Sequence, residues 1–139
     1  MVMTLEADYA VRIVEALAVS KLKKDARTIS DETGVPLRFA LKILRKLVAG
    51  GLIVSYKGAR GGYMLAHEPG QVTLRQVIES VEGPYMISRC QQDEYDCTKT
   101  SCRFHQIYDE ISSVVREKLD SYTFDSLESH PTEKKDQEQ

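Results

Sequence analysis

Residues 28–51 read TISDETGVPLRFALKILRKLVAGG, and the order of breakers and stripes within them decides the architecture. Thr28 or Ser30 can cap a short helix that ends at Gly34. Pro36 then sits where the first turn of a new helix tolerates a residue without an N–H. In that second helix Ala40, Ile43, Leu44 and Leu47 recur at threes and fours and form an inward stripe. Arg38, Lys42 and Arg45 share the opposite face, with Lys46 at its edge. A short helix, a tight glycine turn and a longer helix make a helix-turn-helix. Cations on its outer face suit DNA phosphates and base edges in a major groove. A merely solvated surface would also be basic in places, but this face carries no acid at all.

Downstream, Gly50 and Gly51 end the helix, and two apolar runs, 52–56 and 62–66, predict a two-stranded hairpin. Its tip, Lys57-Gly-Ala-Arg60-Gly, is too glycine-rich to pack and holds two cations, as a wing laid on a phosphate backbone would. Upstream, Leu5, Tyr9, Ala10, Ile13, Val14, Leu17 and Ala18 predict an amphipathic helix over about residues 4–20. Thr4 is its N-cap, and Glu6 and Asp8 complement its dipole. Residues 21–25 are polar and predict a loop.

Beyond the hairpin, Thr73 caps a helix over 74–81 with Leu74, Val77, Ile78 and Val81 inward, closed by Gly83-Pro84. Residues 90–105 follow, CQQDEYDCTKTSCRFH, and hold every cysteine of the chain. Thiolates suit zinc, copper(I) or iron-sulfur iron, and an imidazole can supply a fourth donor. Cys102 and His105 stand at i and i+3, on one face of any helix that begins there. Cys90, Cys97 and Cys102 lie among Gln, Asp, Glu, Thr, Lys and Ser, which argues against thiols packed as small hydrophobes. Structural zinc on the same donors, and a metal-free thiol redox switch, stay open.

After this run Phe104, Ile107, Tyr108, Ile111, Val114, Val115, Leu119 and Tyr122 recur at threes and fours for about five turns. No comparable unpaired helix lies nearby in sequence, so a second copy of the chain is the natural cover. A homodimer would set two recognition helices at half-sites about 34 Å apart. Residues 123–127 suggest one more short helical turn, and the polar tail from His130 onward suggests mobility. His67 and His130 stand apart from the cysteines and receive no role.

The 139 residues suit one small domain with an extended arm. The first 66 carry eleven Lys or Arg against six Asp or Glu, a balance of +5; the remaining 73 carry eight against fifteen, a balance of −7. One half thus suits a polyanion and the other does not. Charges throughout the first helix exclude a signal peptide or membrane span, which points to the cytoplasm, where an odd set of thiols stays reduced and available. There is no glycine-rich phosphate loop, no paired carboxylates in an apolar setting and no nucleophile with an evident base, so an enzyme is not expected. The expected fold is mainly α with a small β-hairpin wing. Residues 1–82 form a winged helix-turn-helix, 83–102 a cofactor loop, 103–128 a long dimerisation helix with a short terminal turn, and 129–139 a polar tail.

In this order, the Tyr9-Ala10 helix, Gly50-Gly51-Leu52, the wing Gly58-Ala-Arg-Gly-Gly-Tyr63 and three cysteines before a long helix, the chain resembles the Rrf-two family of winged-helix transcription regulators, of the IscR-like and NsrR-like, iron-sulfur type. The resemblance covers nearly all of residues 1–128. It implies a dimeric DNA-binding protein, commonly a repressor, whose operator affinity is tuned by a cluster that senses cluster status, redox state or nitric oxide. By position it implies Cys90, Cys97 and Cys102 as cluster ligands, with His105 or Asp8 as the fourth. A Cys3His set favours a 2Fe-2S cluster, toward which this sequence leans, and a Cys3Asp set a 4Fe-4S one. Arg38, Phe39 and Lys42 match the DNA-facing stretch of the recognition helix, and Arg60 the wing arginine.

Overall fold

A computed structural model describes residues 2–92 and 103–125. The first helix, α1 (Leu5–Ser20), starts where Thr4 Oγ1 accepts the Ala7 N–H at 3.2 Å. It buries Ala7, Ala10, Ile13, Val14, Leu17 and Ala18. Leu5, expected inward, is 58% exposed, and Ala7 takes its place. The reason is angular, because Leu5 lies across the helix from the Ala7 and Val14 side that faces the core.

Helix α2 (Ala26–Thr33) begins one turn earlier than expected. Its cap is Asp25, not Thr28 or Ser30, and Asp25 Oδ1 accepts the Thr28 N–H at 2.8 Å. The Ser30 hydroxyl instead donates to the Val35 carbonyl at 2.6 Å and so bridges the turn. Gly34 ends the helix at φ 73°, a conformation that disfavours side chains, and its N–H returns to the Ser30 carbonyl. Helix α3 (Leu37–Ala49) follows, with Pro36 at its cap position and Ala40, Ile43, Leu44 and Leu47 fully buried as the stripe requires.

Strands β1 (Ile53–Tyr56) and β2 (Gly62–Leu65) pair antiparallel, Ile53 opposite Leu65 and Tyr56 opposite Gly62. Residues 21–25 are more than a loop. Lys24 and Tyr63 exchange backbone hydrogen bonds, Lys24 N–H to Tyr63 O at 3.2 Å and Tyr63 N–H to Lys24 O at 2.8 Å, so this segment adds an edge to the wing. Gly62 is what permits the approach, since a Cβ there would come within 2.9 Å of the Lys24 backbone.

A 3-10 turn (Pro69–Gln71) leads to α4 (Leu74–Glu82), whose cap Thr73 forms a reciprocal capping box with Gln76. Val77, Ile78 and Val81 are buried and Gly83 ends the helix. A second 3-10 turn (Arg89–Gln91) contains Cys90, and α5 (Arg103–Asp120) follows. The chain then turns back. Leu74 N–H donates to Tyr122 O at 2.9 Å, Thr123 bridges Thr73, and Phe124 enters the core with 4% of its surface exposed. Residues 123–125 therefore do not form the expected helical turn, because burying Phe124 against α4 requires an extended return. Residues 126 and 127, the rest of that turn, lie outside the described residues, as does the polar tail.

One apolar core joins α1, α2, α3, β1, Val72, α4 and Phe124. Among the described residues α5 buries no apolar side chain fully; its one buried residue is Ser112. Phe104, Ile111 and Val114 are exposed along it. No described helix is long and apolar enough to cross a membrane.

Candidate nucleic-acid interface and thiol turn

Three outward cations of α3, Arg38, Lys42 and Arg45, are exposed. The Phe39 ring packs on Tyr9 of α1, centroids 6.1 Å apart, and the Arg38 guanidinium lies 5.3 Å from the Phe39 centroid. An aromatic shelf anchored to α1 thus sits under the first arginine of the helix. The fourth cation is placed differently. Lys46 Nζ donates to the Val81 carbonyl at 3.3 Å and stands 2.7 Å from a buried oxygen of Glu6, an ion pair without hydrogen-bond geometry. Lys42 reaches the same oxygen at 3.9 Å. The sequence of α3 is free of acid on this face, yet α1 brings Glu6 to its edge.

At the wing tip Lys57 and Arg60 are exposed. Gly58 holds φ 96° and accepts the Gly61 N–H at 2.9 Å, and a Cβ on Gly61 would collide with the Tyr56 carbonyl at 2.3 Å. Tight backbone closure is why this tip is glycine-rich. A further cation joins it: Lys23 Nζ stands 4.3 Å from the centroid of the Tyr56 ring. Sequence reasoning missed Lys23, whose only signal was the lysine-rich run 21–24. The Lys24 ammonium is taken by Glu32.

Cys90 is half-buried in its 3-10 turn, where Ser88 Oγ lies 3.2 Å from the sulfur. This turn is fastened to α5. Gln91 Oε1 accepts from the Ser88 N–H at 3.1 Å and from the Ser112 hydroxyl at 2.9 Å, while Gln91 Nε2 donates to Asp109 Oδ1 at 2.9 Å. Ser112 Oγ also accepts the Ile87 N–H at 3.0 Å, and Arg116 donates to the Tyr85 carbonyl at 2.8 Å. Asp109 meets His105 Nε2 at 3.7 Å. Cys90 and His105 thus flank one hydrogen-bonded patch that spans the turn and the first half of α5. A thiol and an imidazole are donor types that a thiolate-ligated metal uses, but among the described residues no three His, Cys, Asp or Glu side chains gather as a metal site. Cys97 and Cys102 lie outside the described residues. Asp8 belongs to another element, the first turn of α1, where Arg12 pairs with it at 3.0 Å.

Three carboxylate contacts lie in the frame around these sites. The Thr28 backbone N–H holds the Asp25 carboxyl below its ordinary range. Arg75 on α4 binds Asp120 at the end of α5 at 2.7 Å and Glu79 at 2.6 Å, and these partners, Asp120 first, raise its already high pKa.

A family model described as "Rrf2: Iron-dependent Transcriptional regulator" matches residues 3–130. The chain is similar to Protein rrf2 of Nitratidesulfovibrio vulgaris, 25% identical over 130 residues that span 91% of this chain and 87% of that one. It is also similar to the HTH-type transcriptional regulator IscR of Vibrio vulnificus, 28% identical over 132 residues, 93% and 78% of the two chains. Among solved structures it is similar to IscR of T. potens, with a TM-score of 0.72 at 22% identity over 91% and 85% of the chains. The CymR global cysteine regulator of B. subtilis gives a TM-score of 0.75 at 23% identity over 94% and 98%. The structural likenesses establish the winged-helix fold, and the IscR and CymR relatives are named as regulators. The chain belongs to the Rrf2 family of DNA-binding transcriptional regulators.

Proposed function

We propose that this protein is a cytoplasmic, homodimeric regulator, acting as a repressor, whose grip on an operator depends on an iron-sulfur cluster held by Cys90, Cys97 and Cys102. In this reading residues 1–82 read DNA, 83–102 hold the cofactor and 103–128 pair two copies. Arg38, Lys42 and Arg45 meet the major groove with Phe39 as the shelf under Arg38, and Lys57 and Arg60 follow the backbone at the wing. Lys46 steadies the helix through Glu6 more than it touches DNA. His105 is the preferred fourth ligand because it shares the patch with Cys90, which favours a 2Fe-2S cluster; Asp8 is the alternative. When bound, the cluster would supply an iron centre sensitive to redox change or nitric oxide.

The observation that carries this reading is the double role of Ser112. One buried hydroxyl on α5 holds both the Ile87 N–H and the Gln91 side chain, so the Cys90 turn and the helix available for pairing cannot shift independently. A change in the turn is thereby expressed in α5, and in a dimer α5 sets the separation of the two DNA-reading heads. A cofactor acts as a switch only if it favours one of two such arrangements.

Metal analysis of protein purified without oxygen tests the cofactor. Iron and acid-labile sulfide in near-equal amounts, with visible absorption, are expected. Colourless protein loaded with zinc on the same residues would assign a structural site instead, and metal-free protein whose thiols oxidise under peroxide would assign a thiol switch.

A further inference from the structure

The outer face of α3 is not uniformly charged. Leu37, Leu41 and Val48 are 36%, 43% and 36% exposed and fall along one line of the helix, four and seven residues apart. That line runs beside Arg38 and Arg45, and it lies away from Phe39 and Lys46, which Tyr9 and Glu6 draw toward α1. Leu41 therefore stands outward between a row of leucine and valine and a row of arginine. Leu37 and Leu41 occupy the first two turns, the end of a recognition helix that meets base edges.

Resting on the DNA-binding reading, we propose that Leu41, with Leu37 beside it, reads thymine through its C5-methyl group. The major groove offers an apolar side chain one distinctive partner, and it is that methyl. The surroundings select duplex DNA over a protein partner. Arg38 and Arg45 border the apolar line without an intervening acid on α3, so a surface that covered Leu41 would also have to accept two guanidinium groups, as a groove lined by phosphates does.

Duplexes enriched by the full-length protein from a random-sequence pool supply the probe. Each thymine is replaced in turn by deoxyuridine, which removes only the methyl, and the duplexes are titrated by fluorescence anisotropy with wild type and with Leu41→Ala. At one thymine per half-site, deoxyuridine is expected to weaken wild-type binding about fourfold, the worth of one buried methyl group. At the same position Leu41→Ala is expected to be indifferent. Sequence-specific binding with no methyl-sensitive thymine, or equal sensitivity in Leu41→Ala, overturns the assignment of Leu41 and leaves the DNA-binding reading standing. Failure to enrich any duplex overturns both. The wild-type comparison alters only the DNA, so it does not depend on how the variant folds.

Discussion

Ser112 shows how much one side chain can decide here. It is fully buried, and its hydroxyl accepts the Ile87 backbone N–H while donating to Gln91 Oε1. Ser112→Ala is expected to lower stability by about 0.5–1.5 kcal/mol, the net worth of a part-buried hydrogen bond, read as a shift in the urea midpoint. A shift near zero would mean that the Ile87 N–H is satisfied elsewhere. Asp25 is expected to act through pH. Its carboxyl is held below the ordinary range by the Thr28 N–H, so the folded state favours the carboxylate. Its contribution is present above the ordinary carboxylate range and fades as pH falls through the depressed value. Asp25→Asn should flatten the acid side of stability measured against pH, and an unchanged profile would remove the cap from the account. Neither residue stood out in the sequence. Ser112 sits beside Ile111, Val114 and Val115, which claim the apolar stripe in the sequence pattern, and Asp25 competes with Thr28 and Ser30, each a good cap by composition.

At the scale of elements, α3 was legible because two patterns coincide in it, an apolar stripe at helical spacing and breakers at both ends. The wing was legible as a hairpin for the same reason. What could not be read locally were pairings between distant segments: the Lys24 bridge to Tyr63, the return of Phe124 onto α4, and the Glu6 contact that draws Lys46 out of the outward basic set. The site was legible in its residue types and unreadable in its fastening, since the Gln91 and Ser112 network joins positions 21 apart. The placement of Lys46 separates two kinds of basic residue. Lys57→Ala and Arg60→Ala are each expected to reduce the salt dependence of DNA binding by about one phosphate contact, and Lys23→Ala likewise. Lys46→Ala should leave that slope nearly unchanged and lower thermal stability, because Glu6 keeps a buried oxygen without its cation. Equal slopes for Lys46→Ala and Lys57→Ala would contradict this division.

For the whole molecule, the apolar line of α5 is the feature that the described residues of a single chain leave uncovered. Val114 is 66% exposed, so Val114→Glu should leave the core intact. The variant is expected to sediment as a monomer with unchanged helix content and to lose specific binding to a two-half-site duplex. A Val114→Glu dimer that binds normally would move the pairing surface away from α5. The larger claim is that the thiol turn and the DNA-reading face are coupled through α5. Its most direct test is one titration performed twice, without oxygen, on the same enriched duplex: once with protein carrying its iron and sulfide, once after their removal by a chelator. A difference of roughly 5- to 150-fold in dissociation constant, the range that ordinary coupling energies span, is the expected result. Equal dissociation constants for the two forms would contradict the coupling.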